Sequence, residues 1–254
     1  MDREKDFVFL FGFHPVLEKI RASSGPLLEI MIVRGHKRAA LRSIDEEAKR
    51  RGLPVRYLES RVLDRLAGGK RHQGVVAKVP LCRYGSFADL LQALPSAPDH
   101  DWILLLDGVT DPRNLGALLR SAEGSGVRHV VIPKNRAVGV TPTVVKTSAG
   151  AVHYLKIYQV PNLRRVILVL KEKGYWVVGL DAEAGEGIYG RVYPQKLVVI
   201  LGAEGSGVRR VIRQECDFLV SIPMRGKIPS LNVAVAGGIF MYELLRQRLM
   251  SLKD

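Results

Sequence analysis

Five consecutive apolar residues, Leu197-Val198-Val199-Ile200-Leu201, end at Gly202. Such a run has no polar face, so it suits a strand buried on both sides within a helix-covered sheet. Trp102-Ile103-Leu104-Leu105-Leu106, closed by Asp107, has the same character. Residues 127–133, 152–157, 175–180 and 218–222 read as further strands. Helical patterns separate them: 114–125 before Gly126, a short one from Thr141-Pro142-Thr143 to Lys146, and 162–173 before Gly174. A long apolar helix over 233–245 closes the chain. This alternation predicts an α/β fold with a mostly parallel sheet covered on both faces.

The front of the chain alternates as well, with strands expected at 7–11, 28–33, 54–58 and 74–79. His14-Pro15 marks a helix start, and a charged amphipathic helix over 38–51 stops at Gly52. Residues 81–97 change in composition. A short helix over 87–94 precedes Pro95-Ser96-Ala97-Pro98, the best linker in the chain. The expected organisation is a front domain at 1–80, a linker at 81–97 and a second domain at 98–254.

Charge narrows the partner. The 254 residues carry a formal net charge of +14. Lys and Arg outnumber Asp and Glu seventeen to ten in 1–80 and twenty-one to fourteen in 98–254, so the excess is not a tail. That balance favours a polyanion, nucleic acid before an anionic membrane. Cys82 and Cys216 stand alone without a CxxC or Cys/His cluster, so neither a metal site nor a disulfide framework is expected, which suits the cytoplasm. Neither a membrane span nor a targeting segment is expected.

Polar residues beyond the needs of the alternating pattern fall in four places. Asn114 and Arg120 share one helix, where an Arg alone reads more readily as a surface residue than as a functional one. Glu204 sits in the loop Gly202-Ala203-Glu204-Gly205-Ser206-Gly207, which has neither the dinucleotide fingerprint nor the P-loop spacing. Ser230 stands where a helix N-cap belongs, and Asn232 falls two residues inside an apolar helix start, a poor place for Asn. In the front domain, Lys70-Arg71-His72-Gln73 lies in a glycine-rich loop that suits either phosphate contact or a solvated turn.

In order and spacing, these motifs resemble the SpoU branch of the SPOUT RNA methyltransferases. N-L-G-A-L-L-R-S-A at 114–122, L-G-A-E-G-S-G at 201–207 and I-P-M-R-G-K-I-P-S-L-N-V-A-V-A at 222–236 are similar to its three motifs. F-G-F-H-P-V near the start and H-Q-G-V-V-A at 72–77 resemble the substrate-binding domain of the RlmB-type subgroup, which methylates a guanosine ribose in 23S ribosomal RNA. The departure is Ala234, where many relatives have Ser.

The resemblance implies a small ribosomal-protein-like α/β RNA-binding domain and a SPOUT domain with a deep trefoil knot. It also implies a homodimer and the cofactor S-adenosylmethionine, held by Leu201, Gly202, Ile222, Pro223, Met224 and Leu231. Arg120 would be the key catalytic residue, helped by Asn114, Glu204, Ser230 and Asn232, with RNA met by Lys70, Arg71, His72 and Gln73. A guanidinium has a pKa above about 12 and no free acceptor, so a phosphate clamp and charge stabiliser suits Arg120 better than a base. A transfer-RNA 2′-O-methyltransferase of the same branch and a non-catalytic RNA-binding protein are the other readings.

Overall fold

The computed structural model describes residues 7–21, 27–35, 39–80, 82, 84–94 and 101–251. The chain divides into two compact units, 1–83 with 140–154, and 84–139 with 155–254. Residues 81, 83 and 95–97 of the expected linker lie outside the described residues.

In the first unit, β1 (Phe7–Phe11), β2 (Glu29–Val33), β3 (Val55–Leu58) and β4 (Val75–Pro80) form a sheet of order β1-β4-β2-β3. β4 runs antiparallel to β1 and β2, and β2 runs parallel to β3. Helices α1 (Phe13–Arg21) and α2 (Ala39–Arg50) bury Val16, Leu17 and Ile20, and Leu41, Ile44 and Ala48, at the spacing of one helical side. Helix α3 (Ser60–Ala67) contributes Leu63 to a second cluster with Met31 and Val76.

The second unit opens with α4 (Phe87–Ala93), in the stretch read as linker; its Leu90 is fully buried in this unit's core. Then come β5 (Asp101–Asp107), α5 (Pro112–Ser125) and β6 (His129–Pro133). Asp111 caps α5 by accepting from the Arg113 N–H at 2.7 Å, and Pro112 supplies its first turn. Helix α6 (Pro142–Thr147) belongs to the first unit and packs on β1.

The strand expected at 152–157 is instead β7 (Lys156–Val160). Gly150, at φ 91, lets Ala151–His153 form a 3-10 turn, and pairing with β6 begins only at Lys156. The remaining elements are α7 (Leu163–Glu172), β8 (Trp176–Leu180), β9 (Glu186–Gly187), β10 (Lys196–Gly202), α8 (Arg210–Arg213), β11 (Phe218–Ser221) and α9 (Val233–Ser251).

These seven strands run parallel in the order β7-β6-β5-β10-β8-β11-β9. The apolar runs occupy the middle: every residue of β5 is buried, as are six of seven in β10. Ile103, Leu105, Val198 and Ile200 meet Leu163, Ile167 and Leu170 of α7 and Ile212 of α8 in one cluster. On the other side, α9 comes close to α5 and β10 at Gly237. A Cβ there would lie 2.5 Å from Leu201 and 2.6 Å from Leu118. β6 and β7 lie beyond β5 on one side, and β8, β11 and β9 beyond β10 on the other. Open α/β sheets bind ligands where strand order reverses in this way, outside the carboxyl ends. No helix among the described residues is long and apolar enough to cross a membrane.

Candidate active site

The carboxyl ends of β5 and β10 meet at the pair Asp107 and Gly202. Beyond Gly202 the chain folds straight back. Ala203 and Gly207 exchange backbone hydrogen bonds of 3.0 and 2.9 Å, leaving Glu204 on the exposed turn. A Cβ on Gly202 would fall 2.0 Å from the Gly207 carbonyl carbon, so only glycine fits. Asp107 ties the far end of this turn. Its carboxylate, 1% exposed, accepts from the Arg209 backbone N–H at 3.0 Å and from Arg209 Nε at 2.7 Å. We expect Asp107→Ala to cost about 1–3 kcal/mol, read by denaturant unfolding. The freed guanidinium turns to solvent, but the backbone donor loses its partner.

After β11 the chain returns through 222–232 to α9. The helix begins at Val233, and Asn232 is its cap: Oδ1 accepts from the Ala234 N–H at 2.9 Å and the Val235 N–H at 3.4 Å. This corrects the expected placement, since Ser230 lies outside the helix, exposed, and Asn232 is not within it. Capping orients the Asn232 amide, and its Nδ2 donates to Asn114 Oδ1 at 3.1 Å. Asn114 Nδ2 in turn donates to Glu204 Oε1. Three segments, 90 and 118 residues apart, thus join in one directional chain that ends on a carboxylate.

A cavity of about 570 Å³ opens between these loops, a size that suits a small-molecule site. Leu180, Val220, Ile222, Met224 and Leu231 give it apolar walls, with Leu201 and Gly202 at the end of β10. Asp181 and Arg213, paired at 3.0 Å, add charged groups to the lining. Glu204, Ser230 and Asn232 line it as well. Pro223 is not part of this lining and stands beside Gly187, where a Cβ would come within 3.6 Å of its ring. The combination fits a ligand with a flat, apolar-faced ring and a polar tail.

A family model described as the SpoU rRNA Methylase family matches residues 101–242. The chain belongs to the SpoU rRNA methylase family. A second model, RNA 2′-O ribose methyltransferase substrate binding, matches residues 9–84. The chain is 40% identical over 242 residues to the 23S rRNA (guanosine-2′-O-)-methyltransferase RlmB of Xylella fastidiosa, covering 95% of this chain and 97% of that protein. Against RlmB of Xanthomonas campestris the identity is 41% over 241 residues, with 95% and 97% covered. The fold matches the SpoU methyltransferase AviRb of Streptomyces viridochromogenes, solved with AdoMet, at a TM-score of 0.79 and 23% identity. That match covers 98% of this chain and 95% of the other.

In this SpoU chain Arg120 stands apart from the other motif residues. It is exposed on α5, six residues and about 9 Å of helix from Asn114. It lines no part of the cavity and has no hydrogen bond or ion pair among the described residues.

The loop at 70–73 divides by role. His72 bridges locally: Nδ1 accepts from the Gly74 N–H at 3.1 Å, leaving Nε2 to donate to Asp64 Oδ1 at 2.9 Å. Gln73, at φ 54, accepts from the Phe13 N–H at 2.9 Å. Lys70 stands 5.2 Å above the Phe11 ring, and Arg71 is exposed. His72 and Gln73 thereby shape the loop, while Lys70 and Arg71 present its charge. Sequence reading passed over Asp107 and Arg209, although a carboxylate closing a wholly apolar strand was a usable signal.

Proposed function

We propose that the protein transfers a methyl group from S-adenosylmethionine to the ribose 2′-oxygen of a guanosine in 23S ribosomal RNA. The observation that carries this reading is the chain Asn232–Asn114–Glu204 beside a cavity of cofactor size. The function named for the RlmB relatives supports the choice of RNA and nucleoside. Bound S-adenosylmethionine supplies an electrophilic methyl on a sulfonium, so the acceptor oxygen needs alignment and loss of its proton.

Residues at the ends of the parallel strands do the holding. Leu201, Gly202, Ile222 and Leu231 line the cavity and would hold the cofactor's adenine through backbone groups, with Leu180 and Met224 as apolar walls. Glu204, Asn114, Ser230 and Asn232 orient the ribose. Arg120 grips the adjacent phosphate and steadies the developing alkoxide.

We propose a homodimer, in which Arg120 of one subunit completes the site of the other. Val235, Tyr242 and Leu249 of α9 are 50, 52 and 53% exposed and stand seven residues apart, forming one apolar seam. Tyr242 reaches Gly124 of α5, about one turn from Arg120, so a copy seated on the seam meets that guanidinium. The front unit, with Lys70 and Arg71, binds RNA through a ribosomal-protein-like fold. The last third forms a trefoil knot, a reading that follows the family; residues 201–208 and 229–233 line one cavity, as that reading requires. The enzyme acts in the cytoplasm, with its ribosomal RNA.

We expect labelled S-adenosylmethionine and total RNA to yield 2′-O-methylguanosine in 23S RNA, read by nucleoside mass spectrometry. A base-methylated product, or methyl only in transfer RNA, would overturn the reading. A deoxyribose at the mapped nucleotide should abolish turnover.

A further inference from the structure

At the amino end of the parallel sheet, opposite the cavity, three planar groups are stacked. Trp176 opens β8 and lies 5.3 Å from Phe218 of β11, with the rings only 15° apart. The Arg191 guanidinium covers Phe218 at 4.0 Å. Glu186 pins that guanidinium with a bidentate pair of 2.8 and 2.7 Å. The stack is therefore held in place rather than formed by chance contact. Its outer member is unfinished: Trp176 is 48% exposed, and among the described residues no second ring or cation lies on it.

The surroundings favour an anion with a planar part. Lys173 lies three residues ahead of Trp176 at this end of the sheet, while Lys196 donates to the Lys173 carbonyl at 3.5 Å and sits 5.7 Å over the Tyr175 ring, on the other side of β8. The nearby carboxylates Asp217 and Glu186 are paired with Lys171 and Arg191. A lipid surface would meet only one ring here, and among the described residues no three His, Cys, Asp or Glu side chains gather to hold a metal. Single-stranded nucleic acid combines a π-face with phosphate charge, and bases of any kind stack on aromatic side chains. From Trp176 to Leu180, which lines the cavity, β8 spans about 13 Å. A single-stranded segment joining the two ends runs around the sheet rather than along β8, whose Val177 and Val178 are fully buried.

We propose that Trp176 is a stacking platform for an unpaired nucleobase of the RNA, held rigid by Phe218 and Arg191. It rests on the reading of the protein as an RNA enzyme and adds a base-binding point away from the reacting ribose. The platform reads the flatness of a base rather than its hydrogen-bonding edge, so it tolerates sequence and favours purines for their larger face.

The full-length protein carries the probe for its own test. Of its two tryptophans, Trp102 is 5% exposed, so iodide quenches Trp176 selectively. A single-stranded oligoadenylate of about six nucleotides should quench Trp176 emission and shield it from iodide, whereas an abasic oligomer of equal length should not. Trp176→Ala should weaken oligoadenylate binding roughly five-fold or more, and Trp176→Phe should keep most of it. Three results would overturn the proposal. They are oligoadenylate saturating by anisotropy with Trp176 still open to iodide, no binding of oligoadenylate at all, or shielding that rises with protein concentration alone, the mark of a second copy. Base-dependent shielding in a protein that transfers no methyl would sink the enzymatic reading and keep the platform. Methyl transfer with Trp176 open throughout would do the reverse.

Discussion

Arg120→Ala should lower methyl transfer by about a hundred-fold or more, the scale of losing one preorganised electrostatic donor. Its affinity for S-adenosylmethionine should stay near that of the parent, because Arg120 lies off the cavity. Stability should hardly move, since the side chain is exposed and unpaired among the described residues. Single-turnover kinetics and calorimetry separate the two effects. Arg120→Lys should recover little, because an ammonium does not reproduce the planar bidentate fork. If Arg120 serves the partner's site, mixing Arg120→Ala with Asn232→Ala should restore about a quarter to a half of the sites. Verified mixed dimers without recovery would place its action within its own chain. A large loss of cofactor affinity would instead move the residue into the cavity.

Gly202→Ala should destroy cofactor binding and cost more than about 3 kcal/mol of stability. The new methyl would lie 2.0 Å from the Gly207 carbonyl carbon and 2.2 Å from both the Gly207 oxygen and the Val208 nitrogen. All three are backbone atoms, so no side chain can swing aside. Relief requires opening the turn closed by Ala203 and Gly207, which carries Glu204. Gly190→Ala, where nothing lies within 4 Å, is the matched control. Calorimetry with the cofactor and thermal melting of both variants test this. A Gly202→Ala protein that binds cofactor normally would contradict the tight return of the chain after β10.

Much of the candidate site stood out in the sequence because its residue types are out of place locally. A carboxylate among glycines and an Asn at the edge of an apolar helix cost desolvation or propensity, so each asks for a partner. Asn232 shows the limit of that reasoning. Its position looked like the interior of a helix, yet capping accounts for one half of its amide and Asn114 for the other. Asp107 was passed over because it ends its strand without a companion in sequence; Arg209 is 102 residues away. His72 and Gln73 look like Lys70 and Arg71 on paper, but their local bonds give them structural tasks. The strand misplaced to 152–157 failed for a local reason, since a left-handed Gly150 permits a turn where apolar spacing suggested extension.

By itself the sequence determined the kind of fold. Runs such as 102–106 and 197–201 have no polar side, and water would meet them at too high a cost anywhere but inside a covered parallel sheet. It also marked which residues stand apart from packing, because polar groups at strand ends and helix starts are not interchangeable with packing residues. Only the tertiary structure decided the order β7-β6-β5-β10-β8-β11-β9, because each buried strand is locally an equally good neighbour for any other. It alone joined Asn114, Glu204 and Asn232, and it alone set Arg120 outside the cavity. Hydrogen bonds are short and directional, so a chain of them forms only where the packed helices and strands bring distant segments within about 3 Å.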